Sequence, residues 1–115
     1  MKSKLLALSK NEDFRKLLKC KKITNKYVTI FFGYLDNKSP NNLNISFVTK
    51  RKIGNAVKRN KIRRKLKAIV HKLLKKRGAI NKDYTYIVFG KSNAYTQKHD
   101  VLLPLMEKSF SKLKK

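Results

Sequence analysis

The stretch at residues 50–77 reads KRKIGNAVKRNKIRRKLKAIVHKLLKKR, and the rest of the chain can be placed around it. It holds fourteen of the 31 Lys and Arg residues and contains neither Asp nor Glu. Because this positive charge has no partner within the stretch, we expect a polyanion to neutralise it from outside. The alternative is a basic face that is only solvated, which is the commoner outcome for a run of charges.

The same stretch has the period of an α-helix, which we place at residues 56–76. Its apolar residues recur every three or four positions and form one stripe: Ile62, Leu66, Ile69, Val70 and Leu73. The opposite column is polar and cationic: Asn60, Arg64, Lys67 and His71. Arg59 and Arg63 lie at the border, where their stems can pack on the protein. Asn55 precedes this helix, and Gly78 follows it as a C′ residue.

The run GNAVKRNKIRR at residues 54–64 resembles the RNR signature of the bacterial ribonuclease P protein subunit. That signature has the form A-V-x-R-N-(R/K)-x-(K/R)-R and follows a turn of the Ser/Thr-Lys-Lys type. Seven positions of this chain match it: Ala56, Val57, Arg59, Asn60, Lys61, Arg63 and Arg64. The resemblance extends from Asn11 to about Val88 and weakens in the last helix.

Size and charge limit the kind of protein this can be. The chain has 115 residues, of which 41% are hydrophobic, and a formal net charge of +25. This length supports one modest core, so we expect a single domain spanning residues 1–115. Self-repulsion at such a charge destabilises the free protein, and we therefore expect RNA to raise its melting temperature.

The other segments have clear periodicities. We predict a short helix at about residues 11–19, a strand at residues 27–35, and a second strand at residues 43–49. A third strand is expected at residues 83–89, and a last helix begins near Val101 or, if it starts sooner, carries a kink at Pro104. Lys21 and Lys22 are expected to open a basic loop. Alternation in the first strand places Val28, Ile30, Phe32 and Tyr34 on one face, and Thr29, Phe31 and Leu35 on the other.

These elements define an α+β fold, a single-domain α/β sandwich in the order α-β-β-α-β-α. We expect the first two strands to form an antiparallel hairpin. The strand at residues 43–49, the basic helix and the strand at residues 83–89 form a crossover unit whose two strands are parallel. Such crossovers are right-handed in about 98% of cases. The resemblance instead implies a left-handed crossover, which is the exception known for the ribonuclease P protein fold.

We find no candidate for a catalytic or metal centre in the sequence. The six acidic residues are scattered: Glu12, Asp13, Asp36, Asp83, Asp100 and Glu107. No two of them are spaced for acid–base catalysis or a two-metal site, and His71 and His99 have no spaced partner. The single Cys20 excludes an internal disulfide and a Cys-based zinc cluster. The resemblance implies that the catalytic centre and its Mg²⁺ belong to an RNA subunit, and that the protein itself carries no cofactor.

The resemblance nominates two sets of binding residues. The set expected to contact the catalytic RNA is Lys50, Arg51, Lys52, Asn55, Arg59, Asn60, Lys61, Arg63, Arg64 and Lys67. Proteins of the family also hold the single-stranded 5′ leader of precursor tRNA in a cleft between the first helix and the sheet. The candidates for this cleft are Phe14, Leu18, Phe31 and Phe32. Ordinary core packing is the alternative for the aromatic candidates.

The alignment behind the cleft candidates starts from Phe14, because the run NEDF matches the family's pattern for the first helix. If the family pattern is extended from Phe14 without a gap, its cleft position on the first strand falls on Phe32. With a small gap, that position falls on Phe31. Three positions depart from the family pattern. Leu18 stands where a second aromatic residue is common, the turn at residues 49–52 is one residue longer, and Phe89 occupies the place of a frequent Arg. Lys91 is a possible substitute for that Arg.

The resemblance implies a protein subunit of ribonuclease P, the ribonucleoprotein endonuclease that removes the 5′ leader from precursor tRNA. Its partners would be ribonuclease P RNA and precursor tRNA, and its role would be electrostatic and positional. A structural RNA-binding protein of the ribosomal type is the main alternative, since a charge of +25 suits it equally well. A DNA-binding helix-turn-helix protein fits less well, because a hairpin rather than a tight turn precedes the basic helix.

The N-terminal run MKSKLLALSK has only four successive apolar residues, too few for a signal peptide, and no stretch is long enough to cross a membrane. We therefore expect a cytoplasmic protein with no membrane or DNA partner, monomeric when free.

Overall fold

The computed structural model describes residues 5–6, 11–34, 43–76, 80–81 and 84–113. Its strands are β1 (Leu5–Leu6), β2 (Lys21–Thr24), β3 (Val28–Gly33), β4 (Leu43–Thr49) and β5 (Thr85–Gly90). Its α-helices are α1 (Asn11–Leu18), α2 (Ala56–Lys75) and α3 (His99–Ser111). Two short 3-10 helices, η1 (Arg51–Ile53) and η2 (Ser92–Tyr95), precede α2 and α3. The mixed α+β class is confirmed.

The described strands form one sheet in the order β1-β4-β5-β3-β2. β5 lies at its centre, parallel to β4 and antiparallel to β3. The parallel pairing of β4 with β5 confirms the predicted crossover unit, whose connection contains α2. The handedness of this crossover stays a prediction. At the two edges, β1 runs parallel to β4 and β2 runs antiparallel to β3.

The expected antiparallel hairpin of β3 with β4 is wrong, because β5 lies between these two strands. Five of the six residues of β5 are buried. A strand with this much buried surface is most stable where neighbouring strands pair with both its edges and other elements cover both its faces. Adjacency of consecutive strands is only a tendency, and here the burial of β5 overrides it. The turn at residues 36–42 lies outside the described residues.

Several boundaries also differ from the sequence predictions. Lys21 and Lys22 do not open a loop but begin the edge strand β2. Exposed lysines on an edge strand prevent it from pairing with a strand of another molecule. The last helix begins at His99, which is the earlier of the two starts left open by the sequence, so Pro104 lies inside it. The kink expected at Pro104 stays a prediction. Helix α2 ends at Lys75, one residue before the predicted end, while Gly78 lies outside the described residues.

The main core lies between one face of the sheet and the helices α2 and α3. From the helices it receives the predicted stripe of α2 together with Leu102, Met106 and Phe110 of α3, all of which are buried. The sheet contributes Val28, Ile30, Ile45, Tyr86 and Val88. The two faces predicted for β3 are confirmed, and the structure shows that Val28, Ile30 and Phe32 lie on the buried one. No described helix is long and apolar enough to span a membrane.

The residues that the structure describes cover the second face of the sheet only in part. Helix α1 contacts β3 and β5 there, and Leu17 of this helix is fully buried. Ile87 of β5 is also fully buried and lies outside the main core, pointing away from α2 as the alternation of the strand requires. Beyond α1, the described residues leave a cavity on this face, toward the carboxyl end of β5. Within the described part of the chain, one sheet surface is therefore available to a ligand.

Candidate nucleic-acid interface

Helix α2 presents the predicted cationic column to solvent. All four of its residues are exposed: Asn60, Arg64, Lys67 and His71. The opposite stripe is completely buried, which orients the helix and prevents this column from turning inward. The outward face of α2 can therefore meet a negatively charged surface directly.

The border residues of α2 are half-buried and held by short-range hydrogen bonds, in keeping with their predicted position between the two faces. Arg59 donates from Nε to the carbonyl oxygen of Asn55 at 3.4 Å. Arg63 donates from its guanidinium to Oδ1 of Asn60. A guanidinium that is already oriented loses less conformational freedom when it meets a phosphate.

A basic segment leads from β4 into α2 through η1. Lys50, Arg51 and Lys52 are all exposed along it. Asn55 then caps α2, because its Oδ1 accepts a hydrogen bond from the backbone N–H of Lys58 at 2.9 Å. The cap fixes the start of the helix relative to the strand that precedes it, so the segment and the helix present their cations side by side.

A cavity of about 420 Å³ opens on the second face of the sheet, a volume within the usual range of ligand sites, roughly 300–1,000 Å³. Its apolar wall is formed by Phe31 of β3 and Phe89 of β5, whose ring centroids are 5.5 Å apart with the ring planes at 83°. Thr29, Ile53 and Gly90 complete the uncharged lining with Ser92. Aromatic surface left open on a sheet is suited to stacking with a planar ligand.

Four lysines surround this cavity, and we call it the lysine-rimmed cavity: Lys22, Lys50, Lys52 and Lys91. The ammonium of Lys22 lies 5.8 Å from the ring centroid of Phe31, and that of Lys91 donates to the carbonyl oxygen of Asn25 at 2.6 Å. None of the described lining residues is acidic. The site combines an aromatic wall with positive charge, which favours a ligand carrying both rings and anionic groups.

The lysine-rimmed cavity and the basic surface of α2 adjoin each other. Lys50 and Lys52 line the cavity and also belong to the basic segment before α2. In addition, Lys58 of α2 donates from Nζ to Oγ of the cavity residue Ser92 at 3.2 Å. One continuous polyanion could therefore contact both surfaces.

The structure separates the four aromatic and apolar candidates that the sequence nominates for the cleft. Phe31 lines the lysine-rimmed cavity, whereas Phe32 belongs to the main core and packs edge to face against Tyr84 with centroids 5.2 Å apart. Phe14 is half-buried and Leu18 is 39% exposed, both on α1, and neither is among the described residues that line the cavity.

Several residues that line the cavity are not among the binding residues expected from the sequence. From the sequence, Phe89 is only a departure from the family pattern, Lys91 a possible substitute for the missing Arg, and Lys22 part of an expected loop. The signal that could have found Phe89 is its alternation with the buried Val88 along β5, which places the two side chains on opposite faces.

The described residues contain no group of three or more His, Cys, Asp or Glu side chains that could hold a metal ion. Among them, Lys76 of the segment after α2 pairs with Glu107 of α3 at 2.9 Å. The cations of the outward column of α2 have no acidic neighbour along the helix, because residues 50–77 lack Asp and Glu.

Fold and surface together define a small α+β protein in which a basic helix adjoins an aromatic, lysine-rimmed cavity. A family model described as Ribonuclease P matches residues 2–114. The ribonuclease P protein component of Mycoplasma mycoides subsp. mycoides is 33% identical over 88 residues, which cover 76% of this chain and 78% of that protein.

Solved structures agree with this match. The RNase P protein from Thermotoga maritima is similar with a TM-score of 0.76 and 19% identity, over 95% of this chain and 98% of that one. The RNase P protein of Staphylococcus aureus gives a TM-score of 0.70 and 25% identity over 94% of each chain. The chain therefore belongs to the ribonuclease P protein family, the protein components of a ribonucleoprotein endoribonuclease of tRNA processing.

Proposed function

We propose that this chain binds ribonuclease P RNA through the outward face of α2 and the segment before it, and the 5′ leader of precursor tRNA in the lysine-rimmed cavity. It thereby assists endonucleolytic removal of the leader. The observation that carries this proposal is the junction of the two surfaces at Lys50, Lys52 and the Lys58–Ser92 hydrogen bond. A substrate leader that leaves the catalytic RNA beside α2 would enter the cavity without crossing unfavourable surface.

The contact with the catalytic RNA is electrostatic. The exposed Arg64 and Lys67, and the oriented guanidinium groups of Arg59 and Arg63, meet phosphates as point charges or bidentate forks. Each neutralised phosphate releases condensed counterions, so the affinity falls steeply as salt rises. The bound RNA also relieves the self-repulsion of a protein with a net charge of +25, and the melting temperature of the protein rises with it.

The contact with the leader combines stacking and charge. An unpaired base stacks against the wall made by Phe31 and Phe89, which is worth about 1–3 kcal/mol per base and tolerates any sequence. The surrounding ammonium groups of Lys22, Lys50 and Lys52 receive the phosphates on either side. The proposed leader contact continues along the second face of the sheet toward α1, where Phe14 and Leu18 lie outside the lysine-rimmed cavity.

The chain positions RNA and leaves the chemistry to its RNA partner. Of the acidic residues whose side chains are described, Glu12 lies in α1, while Asp100 and Glu107 are seven residues apart in α3. These carboxylates do not converge on the lysine-rimmed cavity. In this proposal the RNA subunit would hold Mg²⁺, which would supply the charge neutralisation and activated water that cleavage requires. The free protein is a monomer in the cytoplasm, with no DNA or membrane partner.

The test is cleavage of a precursor tRNA by bacterial ribonuclease P RNA, with and without this protein, at low magnesium and moderate salt. We expect the protein to stimulate cleavage at the correct 5′ position. Tight binding to the RNA without any stimulation would contradict the proposal and support a structural RNA-binding protein of the ribosomal type.

A second measurement separates the RNA-binding surface of α2 from the leader contact proposed on the second face of the sheet, using Phe14 of α1, which lies outside the lysine-rimmed cavity. Arg59→Ala combined with Arg64→Ala should weaken binding to ribonuclease P RNA and reduce the slope of log affinity against log salt by about one for each phosphate that is no longer neutralised. Phe14→Ala should chiefly weaken substrate that carries a leader and spare mature tRNA. If both variants weakened every RNA equally, a model with two surfaces would be wrong.

A further inference from the structure

One lysine of α2 does not face solvent as its neighbours do. Lys65 donates from Nζ to three backbone carbonyl oxygens, those of Ala94 at 3.2 Å, Tyr95 at 2.9 Å and Gln97 at 2.7 Å. The carbonyls of Ala94 and Tyr95 belong to the last two residues of η2, and that of Gln97 lies two residues beyond it. Three acceptors match the three protons of an ammonium group, so the donor capacity of Lys65 is fully used within the protein.

Both the ammonium group of Lys65 and the carbonyls at the end of η2 need these hydrogen bonds. Lys65 is half-buried, and its burial, followed by repulsion from Lys61, lowers the pKa of its ammonium group. A partly desolvated cation is stable only when its protons are hydrogen-bonded. The last carbonyls of a short helix equally need donors from outside the helix. Removal of the ammonium group would therefore leave the three carbonyls without their donor.

Lys65 acts together with two other lysines on the same side of α2. The ammonium groups of Lys58 and Lys61 lie 5.2 Å and 5.1 Å from the ring centroid of Tyr95, within the range of cation–π contact. Lys58 also holds Ser92, the first residue of η2. Positions 58, 61 and 65 recur with the helical period, so one side of α2 holds η2 along its whole length.

The segment that these lysines hold forms one edge of the lysine-rimmed cavity. Ser92 and the preceding Lys91 both line it. Beyond the cavity, Asn93 donates from Nδ2 to the carbonyl oxygen of Lys26 at 2.9 Å, in the turn between β2 and β3. The residues from 91 to 97 therefore connect α2 with the strand pair that carries Lys22 and Phe31.

We propose that Lys65 is a positioning residue: it fixes η2 on α2 and so holds the edge of the lysine-rimmed cavity at a constant place relative to the RNA-binding column of the same helix. This inference rests on the proposed function of those two surfaces. Lys65 itself touches neither RNA, because its three protons are directed to carbonyls of the chain. Its contribution lies in keeping the leader and the catalytic RNA in register with each other.

The experiment compares Lys65→Met with Lys72→Met in the full chain. Lys72 is exposed on α2 two turns further along, so both variants lose one positive charge from the same helix. Hydrogen exchange of the free proteins reports whether η2 is held. We expect the amide of Ala94, which donates to the carbonyl of Lys91, to exchange about tenfold faster in Lys65→Met and to be unchanged in Lys72→Met.

The functional readout is the affinity of the reconstituted ribonucleoprotein for precursor tRNA relative to mature tRNA. We expect both variants to lose the same small factor in affinity for ribonuclease P RNA. Only Lys65→Met should also lose preference for the leader, by about fivefold or more. If Lys65→Met is too unstable to assay, Lys65→Gln keeps two N–H donors and carries the same comparison with a smaller expected change.

The outcomes are distinct. Unchanged exchange at Ala94 in Lys65→Met would show that Lys65 does not hold η2 and would overturn the inference. Faster exchange with an unchanged leader preference would overturn the positioning role. A wild-type ribonucleoprotein that does not prefer leader-bearing substrate would refute the proposed function itself, and the positioning role with it, independently of any Lys65 variant.

Discussion

The rings of Phe31 and Phe89 meet edge to face across β3 and β5, with their centroids 5.5 Å apart. The register pairs Phe31 with Ile87 and Thr29 with Phe89, so the two aromatic residues are diagonal neighbours on one face of the sheet. Side chains in that relationship contact each other and leave their outer surfaces open to a ligand. This pair forms the apolar wall of the lysine-rimmed cavity.

Phe31→Ala removes half of that wall, and we expect it to weaken binding of leader-bearing precursor tRNA by about 1–3 kcal/mol, with little change for mature tRNA. The measurement is equilibrium binding of both RNAs to the reconstituted ribonucleoprotein. Phe32→Leu is the matched control, since Phe32 is only 9% exposed and belongs to the core. Phe32→Leu should lower the free energy of unfolding and leave the preference for leader-bearing over mature tRNA intact. If Phe31→Ala also kept the wild-type preference, a stacking role for Phe31 would be contradicted.

Asn55 has one observed role and one proposed role, and substitution can separate them. It caps α2 through the N–H of Lys58, and it also lies on the segment expected to meet RNA. Asn55→Ala should lower the free energy of unfolding by about 1 kcal/mol, whereas Asn55→Asp keeps the cap and suits the positive end of the helix dipole. Asn55→Asp should nevertheless weaken binding to ribonuclease P RNA, because a carboxylate repels phosphate.

Urea unfolding and binding of ribonuclease P RNA, measured on both Asn55 variants, test this separation. Asn55→Ser serves as the neutral control, since it also caps helices. Wild-type affinity of Asn55→Asp for the RNA would show that no phosphate approaches this position.

Gly90 permits the close packing of α2 on β5. A Cβ atom at this position would lie 2.5 Å from Cγ2 of Ile62 and 3.0 Å from Cδ1 of Leu66. Gly90→Ala should therefore destabilise the protein by about 1–3 kcal/mol through overpacking, seen as a lower midpoint of urea unfolding. Adding Ile62→Leu removes the γ2 methyl and should recover part of the loss. A midpoint equal to that of the wild type would show that the helix can move away freely.

Asn25 links the turn between β2 and β3 to α3. Its Oδ1 accepts from the backbone N–H groups of Tyr27 at 2.8 Å and Val28 at 2.9 Å, and its Nδ2 donates to Oγ of Ser109 at 3.0 Å. Asn25→Ala leaves all these groups without their partner and should cost about 1–3 kcal/mol of stability. Ser109→Ala breaks only the link to α3 and should cost less.

A double-mutant cycle of Asn25→Ala with Ser109→Ala, followed by urea unfolding, gives the coupling between the turn and α3. We expect the two losses to be less than additive, because both remove the same hydrogen bond. Fully additive losses would mean that this bond contributes nothing to stability.

Local periodicity was sufficient to place α2 and its two faces. Ile62 and Leu73 are buried and Arg64 and Lys67 are exposed, as their spacing predicts. Residues three and four positions apart lie on the same face of a helix. The strand at residues 43–49 has its predicted bounds, because its β-branched and aromatic residues lie between turn signals in the local sequence. Family motifs in this helix also sufficed to identify the protein family.

Three features could not be read from local pattern. Spacing left the choice between Phe31 and Phe32 open, because it gives the two faces of a strand and not which of them meets the core. The insertion of β5 between β3 and β4 depends on competition among pairings of distant segments. The contact of Lys65 with the residues at 94–97 joins positions about thirty residues apart, and its sequence context resembles that of every other lysine in α2.

The sequence by itself therefore determined the basic helix, its exposed cationic column and the family, since charge and helical period are properties of neighbouring residues. Only the tertiary structure decided where β5 lies, which phenylalanines form the lysine-rimmed cavity, and that this cavity adjoins α2. Those features depend on which apolar surfaces of distant segments pack together most completely. Such packing is a property of the whole chain and cannot be read from any one segment.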